Sequence, residues 1–326
     1  MKILYQPPLT NGSGLLPFKK HKKIKVPATY VFTKHREVAR TTYAFLLILL
    51  FLLTMAEKTQ AQDDLMNLLD AQTPDPVHYT VATFKGSRLI NGHTVETRKR
   101  GTLEFIIGHR FGRLNSGAYE FFGLDGANIR LGWEYGLADF LNVGVGRNSF
   151  EKTYDGFLKL KLLRQSTGAR RFPISVVAFS SVAVKTLTSE TPLDFTDRLF
   201  YTHQLLIGRK MSDLLSLQLM PTVVHRNQVR EQDGENDVYA LGVGGRIKLT
   251  ARVSLNGEYY YRFQAPPNSP EFNSLAVGFD IETGGHVFQL HLTNSRAIIE
   301  KGFITETTGN FFNGDIHFGF NVSRVF

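Results

Sequence analysis

The chain has 326 residues, a length that suits one large all-β domain or two smaller ones. It contains no cysteine, which excludes disulfides, thiolate metal sites and a lipidated cysteine anchor. Residues 1–61 carry 10 Lys/Arg against 2 Asp/Glu and so hold most of the net charge of +9; the remaining 28 and 27 nearly cancel, and a nucleic-acid surface loses its main support.

The leader comes first. Lys19, Lys20, Lys22, Lys23 and Lys25 precede an apolar run from Tyr43 to Ala56, about 14 residues against the roughly 20 that a transmembrane helix needs. Thr59 and Ala61 supply small residues for cleavage before Gln62-Asp-Asp. This is the pattern of a secretory signal peptide, with an uncleaved signal anchor as the alternative. No later segment approaches a helical span, so anything embedded in a membrane after residue 62 must be a closed barrel. Residues 62–100 are expected to form a periplasmic or lumen-side segment. Within it Asp63–Ala71 reads as a short amphipathic helix, and Val77–Ile90 as an extended stretch that ends at the turn signal Asn91-Gly92.

From residue 101 strands follow one another to the end of the chain. They are expected at about 101–110, 127–136, 139–148, 154–164, 173–184, 198–209, 214–225, 237–249, 252–263, 272–282, 286–295 and 314–326. The last is the clearest. Phe318, Phe320 and Val322 share one parity while His317, Gly319 and Asn321 share the other, so one face is apolar and the other polar or small. Counting backward from Phe326, the links alternate between long and short, as outer loops and periplasmic turns do in outer-membrane barrels, except at the middling Gln165–Phe172 and the short outer Ser149–Thr153. Both barrel termini belong on the periplasmic side, which requires an even strand number. Twelve is the expectation and fourteen its competitor. Gly314–Phe326 should then pair antiparallel with Gly101–Arg110 to close the wall.

Alternation alone does not separate a barrel from a soluble extracellular sandwich, because either fold has one apolar and one polar face per strand. The leader, strands of about ten residues and the loop asymmetry favour the all-β transmembrane antiparallel barrel over residues 101–326. The run Arg110–Gly136 (RFGRLNSGAYEFFGLDGANIRLGWEYG), together with Tyr154–Gln165 (YDGFLKLKLLRQ), resembles an uncharacterised β-barrel family of Bacteroidetes-type outer membranes. The resemblance covers most of the chain from about residue 62. It implies fold and a bacterial outer-membrane location, with no activity to carry over.

The inward face is expected to carry charges of both signs: Glu104, Arg130, Glu134, Lys159, Lys161, Arg246, Lys248, Glu258, Arg262, Asp280 and Glu282. They read either as a salt-bridge lattice filling a modest lumen or as the lining of a narrow pore for small solutes. Arg246 and Lys248 are expected to pair with Glu258, and Arg262 with Asp280 or Glu282. A structural or partner-binding barrel is the second reading, with residues 63–100 offered to a periplasmic partner. The other expected partners are outer-membrane lipids and the barrel-assembly machinery, engaged through the Phe326 strand.

A lipid hydrolase is the remote reading. His291 and Thr293 share a face as a nucleophile–base pair must, but Leu290 and Leu292 claim the lipid side, so the protein is expected not to be an enzyme. His225, His286, His291 and His317 are too dispersed for a metal motif, and no metal or cofactor is expected. Glycines such as Gly242, Gly244 and Gly245 suit a curved wall. The outer links Arg226–Asn236 and Arg296–Asn313 are the candidate ligand loops.

Overall fold

The computed structural model describes residues 76–188, 193–229, 235–263 and 270–326. The leader, the helix expected at Asp63–Ala71 and the centre of the Arg226–Asn236 link lie outside them.

Twelve strands form a closed antiparallel barrel. A two-residue strand, β1 (His78–Tyr79), precedes the wall, and another, β6 (Ser166–Thr167), interrupts it; these two pair with each other. The wall begins with β2 (Leu103–Arg113), β3 (Ala127–Ala138), β4 (Leu141–Asn148) and β5 (Tyr154–Leu163). It continues with β7 (Ser175–Val184), β8 (Leu199–Lys210), β9 (Leu215–Arg226) and β10 (Asp237–Lys248). It ends with β11 (Val253–Arg262), β12 (Ser274–Thr283), β13 (His286–Thr293) and β14 (His317–Val325).

Each wall strand pairs with its neighbour in sequence, and β14 pairs antiparallel with β2 to close the ring, as the terminal alternation predicts. Phe320 stands opposite His109 and Val322 opposite Ile107. The seam is extended by Phe326, whose N–H donates to the Leu103 carbonyl at 2.8 Å. Closure leaves no strand edge unpaired, the condition for a sheet in lipid.

The two faces differ as period two requires. Ile129, Leu131, Trp133, Phe279 and Leu290 are exposed on the outside, whereas Asn128, Arg130, Glu134, Asp280 and Gln289 are buried within. The tight turn between β12 and β13 is Gly284-Gly285, both at positive φ, which glycine adopts at no steric cost and which a two-residue hairpin turn demands. The link between β5 and β7 is longer than the other turns at its end of the barrel, because it carries β6 and with it the anchor for β1.

Candidate functional site in the barrel lumen

The lumen is filled by two inserts, one from each end. The first is a hairpin that precedes the wall. Leu89 N–H donates to the Gly92 carbonyl at 2.8 Å and Thr94 N–H to the Ser87 carbonyl at 2.9 Å, so the Asn91-Gly92 turn signal is its tip. Except for partly exposed Lys85, every residue from Thr83 to Val95 is buried. The second insert belongs to the link between β13 and β14. Ala297, Ile298 and Ile299 are buried, and a short helix, α1 (Glu300–Thr305), follows with all six residues buried. The first part of this link is therefore packed inside the barrel, whereas Phe312 and Asn313 near its end are exposed.

The inserts meet. Arg88 Nη1 on the hairpin lies 3.1 Å from Glu300 Oε1 on α1, and His93 Nε2 lies 3.8 Å from the same oxygen. Both partners of the Arg88–Glu300 pair are almost fully buried, so the attraction acts at low dielectric and holds the inserts in one register.

One side of the wall grips the hairpin by hydrogen bonds. Glu258 on β11 accepts from the Asn91 N–H at 2.7 Å and the Gly92 N–H at 3.2 Å. Arg110 on β2 donates to Asn91 Oδ1 at 2.7 Å, and Asn321 on β14 donates to the Ile90 carbonyl at 2.9 Å. Gln289 on β13 donates to the Leu89 carbonyl at 2.9 Å. A turn carries backbone groups that secondary structure leaves unpaired, and these side chains satisfy them.

The other side grips mainly by packing, although Gln218 on β9 also accepts from the Val95 N–H at 2.9 Å and donates to the His93 carbonyl at 2.8 Å. Phe84, Leu89 and Val95 join Phe157, Val177, Phe179, Leu206, Met220 and Tyr260 in one buried cluster that also takes in Phe303 and Ile304 of α1. His93 packs against the rings of both Phe157 and Phe179, at 4.6 and 4.4 Å between centroids. Each buried aliphatic or aromatic side chain stabilises the seat by about 1.5–3 kcal/mol relative to water. Gly208 leaves room here, since a Cβ on it would stand 2.8 Å from Val95 Cγ2. Gly244 does the same for Leu89. These inward glycines fit the plug as well as the curve of the wall.

The charged residues expected on the inner face divide accordingly. Glu104, Arg130, Glu134, Lys159, Arg246, Glu258, Arg262 and Asp280 are buried, while Lys161, Lys248 and Glu282 are partly exposed. The pairings expected among them are corrected, because the hairpin, the β11–β12 link and neighbouring wall side chains offer nearer partners. Arg246 donates to the Ala82 and Thr83 carbonyls, both at 3.0 Å, and Glu258 is taken by the hairpin tip. Asp280 accepts from Gln289, Glu282 pairs with Lys85, and Arg262 donates to the Glu271 carbonyl at 2.5 Å. Lys159 donates to the Glu96 carbonyl at 2.5 Å and lies 3.5 Å from Glu134. Arg130 is paired with Asp155, and Ser87 donates to Glu104 at 2.6 Å. Lys161 donates to the Asp139 carbonyl at 3.2 Å. Glu104, Lys159, Arg246, Glu258 and Glu282 are thus engaged by the segment inside the lumen, and Arg130, Glu134, Asp280, Arg262 and Lys161 by the wall and its links.

At the long-loop end, Lys301 of α1 lies 2.7 Å from Glu151 and 2.8 Å from Glu306, with its ammonium 4.3 Å from the centre of the Phe200 ring. Burial opposes its charge, but the two carboxylates outweigh it and raise the ammonium above its ordinary pKa. The remaining histidines are dispersed: His291 is buried and inward, His317 Nδ1 donates to the Phe111 carbonyl at 2.8 Å, and His225 lies outward beside Asp237. No metal-holding cluster of three His, Asp or Glu occurs among the described residues.

A family of membrane-bound β-barrel domains (DUF5777) matches residues 84–326, a stretch that includes the lumenal hairpin as well as the wall. The chain belongs to this family. No curated protein matches it in sequence. Among solved structures it is similar to the KdgM porin in complex with disordered oligogalacturonate, at 9% identity over 69% of this chain and 99% of that one, with a TM-score of 0.43. It is also similar to the outer membrane phospholipase A of Escherichia coli, at 11% identity over 75% of this chain and 98% of that one, again with a TM-score of 0.43. At these values the likeness is one of barrel shape.

Proposed function

We propose that the protein is a plugged barrel of the bacterial outer membrane, and that small solutes pass only when the Thr83–Val95 hairpin leaves its seat. The observation that carries this reading is the junction of the two inserts at Arg88–Glu300, 3.1 Å apart inside the wall. A lining of mixed charge would suit solutes without strong charge selection, but here those charges hold the plug. The closed wall, with its apolar outer face and polar inner face, supports the outer-membrane placement.

Single-channel recording in planar bilayers tests it. The full chain should show no steady conductance. A full chain with residues 84–95 replaced by a Gly/Ser linker of equal length should show discrete steps. Equal steps from both proteins, or none from the linker variant once its barrel is shown to be folded, would overturn the reading.

A structural or partner-binding barrel is the second reading, favoured by one contact. The chain leading into the hairpin is held at the short-turn end by β1 against β6, with Thr80 N–H donating to the Gln165 carbonyl at 2.8 Å. A partner that engages the chain before β1 would therefore pull on the plug. Pull-downs with and without residues 63–100 test this, and an unchanged partner set removes it.

A further inference from the structure

The outer face of β7 and β8 carries two polar side chains among apolar neighbours. Ser180 and His203 are direct cross-strand partners, and the Ser180 hydroxyl lies 3.0 Å from His203 Nδ1. Both point outward, since their chain neighbours Phe179, Thr202 and Gln204 are buried within the barrel. Neither lies at a strand end, so the pair sits within the lipid-facing wall. An ionisable side chain in that position is costly to keep and marks a site of function more often than of packing.

The surroundings are built for an apolar ligand. Leu158, Leu160, Ala178 and Leu205 line a depression of about 410 Å³ against the pair, with Ala178 and Ser180 providing its small residues. One row toward the long-loop end, Tyr201 stands opposite His225, whose Nδ1 lies 2.7 Å from Asp237 Oδ1. A strip of polar side chains thus runs from the pair toward the loop-side rim of the wall.

We propose that Ser180 and His203 are a nucleophile and its general base, and that they cleave acyl esters of membrane lipids lying against the outer wall. A serine hydroxyl is a weak nucleophile until a base takes its proton, and with the imidazole proton on Nε2 the hydroxyl already donates to Nδ1. As Ser180 Oγ bonds to the ester carbonyl carbon, its proton passes to His203. Collapse of the adduct breaks the bond to the lipid alcohol, which leaves with that proton. Water then adds to the acyl-serine, gives a proton to His203, and releases the fatty acid as the proton returns to Ser180. Water is the only co-reactant, and the site faces lipid whether the lumen is plugged or open.

Full-length protein in mixed micelles tests the proposal, with phosphatidylethanolamine in one arm and lipopolysaccharide in the other to distinguish the source of the acyl ester. Fatty acid should be released in at least one arm, and Ser180→Ala and His203→Ala should each lower the rate on the order of 100-fold or more. Folding of each variant is checked by heat-dependent gel migration. A fluorophosphonate probe should label Ser180 in the unaltered protein, as mapped by mass spectrometry, and this holds even where a variant does not fold. No fatty acid from either lipid, an undiminished rate in folded Ser180→Ala, or an unlabelled Ser180 would each overturn the proposal.

Discussion

The two halves of the lumen hold the same hairpin by different mixtures of contacts. On the side of β13, β14 and β2, Gln289, Asn321 and Arg110 reach named atoms of the hairpin backbone and of Asn91. On the side of β5 and β7 to β9, Phe157, Phe179, Leu206 and Met220 offer it an apolar surface, in which Gln218 reaches Val95 N–H and the His93 carbonyl. Strand β11 stands between them and supplies both kinds of contact, Glu258 to the tip and Tyr260 to the apolar cluster. Hydrogen bonds fix register and add little net free energy, because the unseated hairpin would bond to water instead. Apolar packing is less directional and stronger per side chain. The polar half therefore says where the hairpin sits, and the apolar half supplies most of what keeps it there.

The largest effect is expected where the two inserts join. Glu300→Ala leaves Arg88 buried without its partner, a change that costs about 3–5 kcal/mol in such settings. Hydrogen exchange at the Leu89 and Thr94 amides, whose bonds close the hairpin, should accelerate to match. Unchanged exchange would mean that the inserts are seated independently.

The division between the halves is sharpened by one truncation on each side, read at the same two amides. Phe179→Ala should weaken the seat by about 3–5 kcal/mol, as large-to-small changes in packed cores do. Asn321→Ala should cost less, about 1–3 kcal/mol, because it leaves the buried Ile90 carbonyl without its donor. Equal costs, or the reverse order, would remove the distinction drawn here.

The same division explains what could be read from the sequence. On β3, β12 and β14 the inward residues are visibly polar or small, so period two stands out and closure by β14 against β2 followed from it. On β7 the inward Val177 and Phe179 are apolar, as are the outward Val176 and Ala178, and a strand apolar on both faces shows no alternation to count. Strand positions were legible on both sides, but the apolar lumen was not. The plug was legible only as one of two alternatives for residues 62–100, periplasmic or lumen-side, because Thr83–Val95 is too short and irregular to announce burial, although its tip was marked by Asn91-Gly92.

The Ser180–His203 pair escaped for the same reason. The two residues are 23 apart in sequence and meet only through the register of β7 with β8, and the face of β7 was undetermined. The pair that did draw notice, His291 and Thr293, lies on one strand and is buried inside.

The smallest effect concerns the loop end, where the polar half of the wall continues into the links above it. Asp315 accepts from the Asn115 side chain at 2.9 Å and from the Asn310 N–H at 3.0 Å, and Arg113 is 3.4 Å away. These bonds favour the carboxylate and lower its pKa below the ordinary 3.8. A group whose folded-state pKa is depressed contributes stability above its unfolded value, and loses it as pH falls through the folded one. The tie between the β2–β3 and β13–β14 links should therefore hold at neutral pH and weaken only below about pH 3.8. Limited proteolysis of these links across that range reads the change, with Asp315→Asn expected to show the weakened state at every pH. Because the carboxylate is near the surface, the change should be modest and should leave exchange in the lumenal hairpin untouched. If the hairpin loosened in step with the loops, its hold would depend on the loop end as well as on the two halves of the wall.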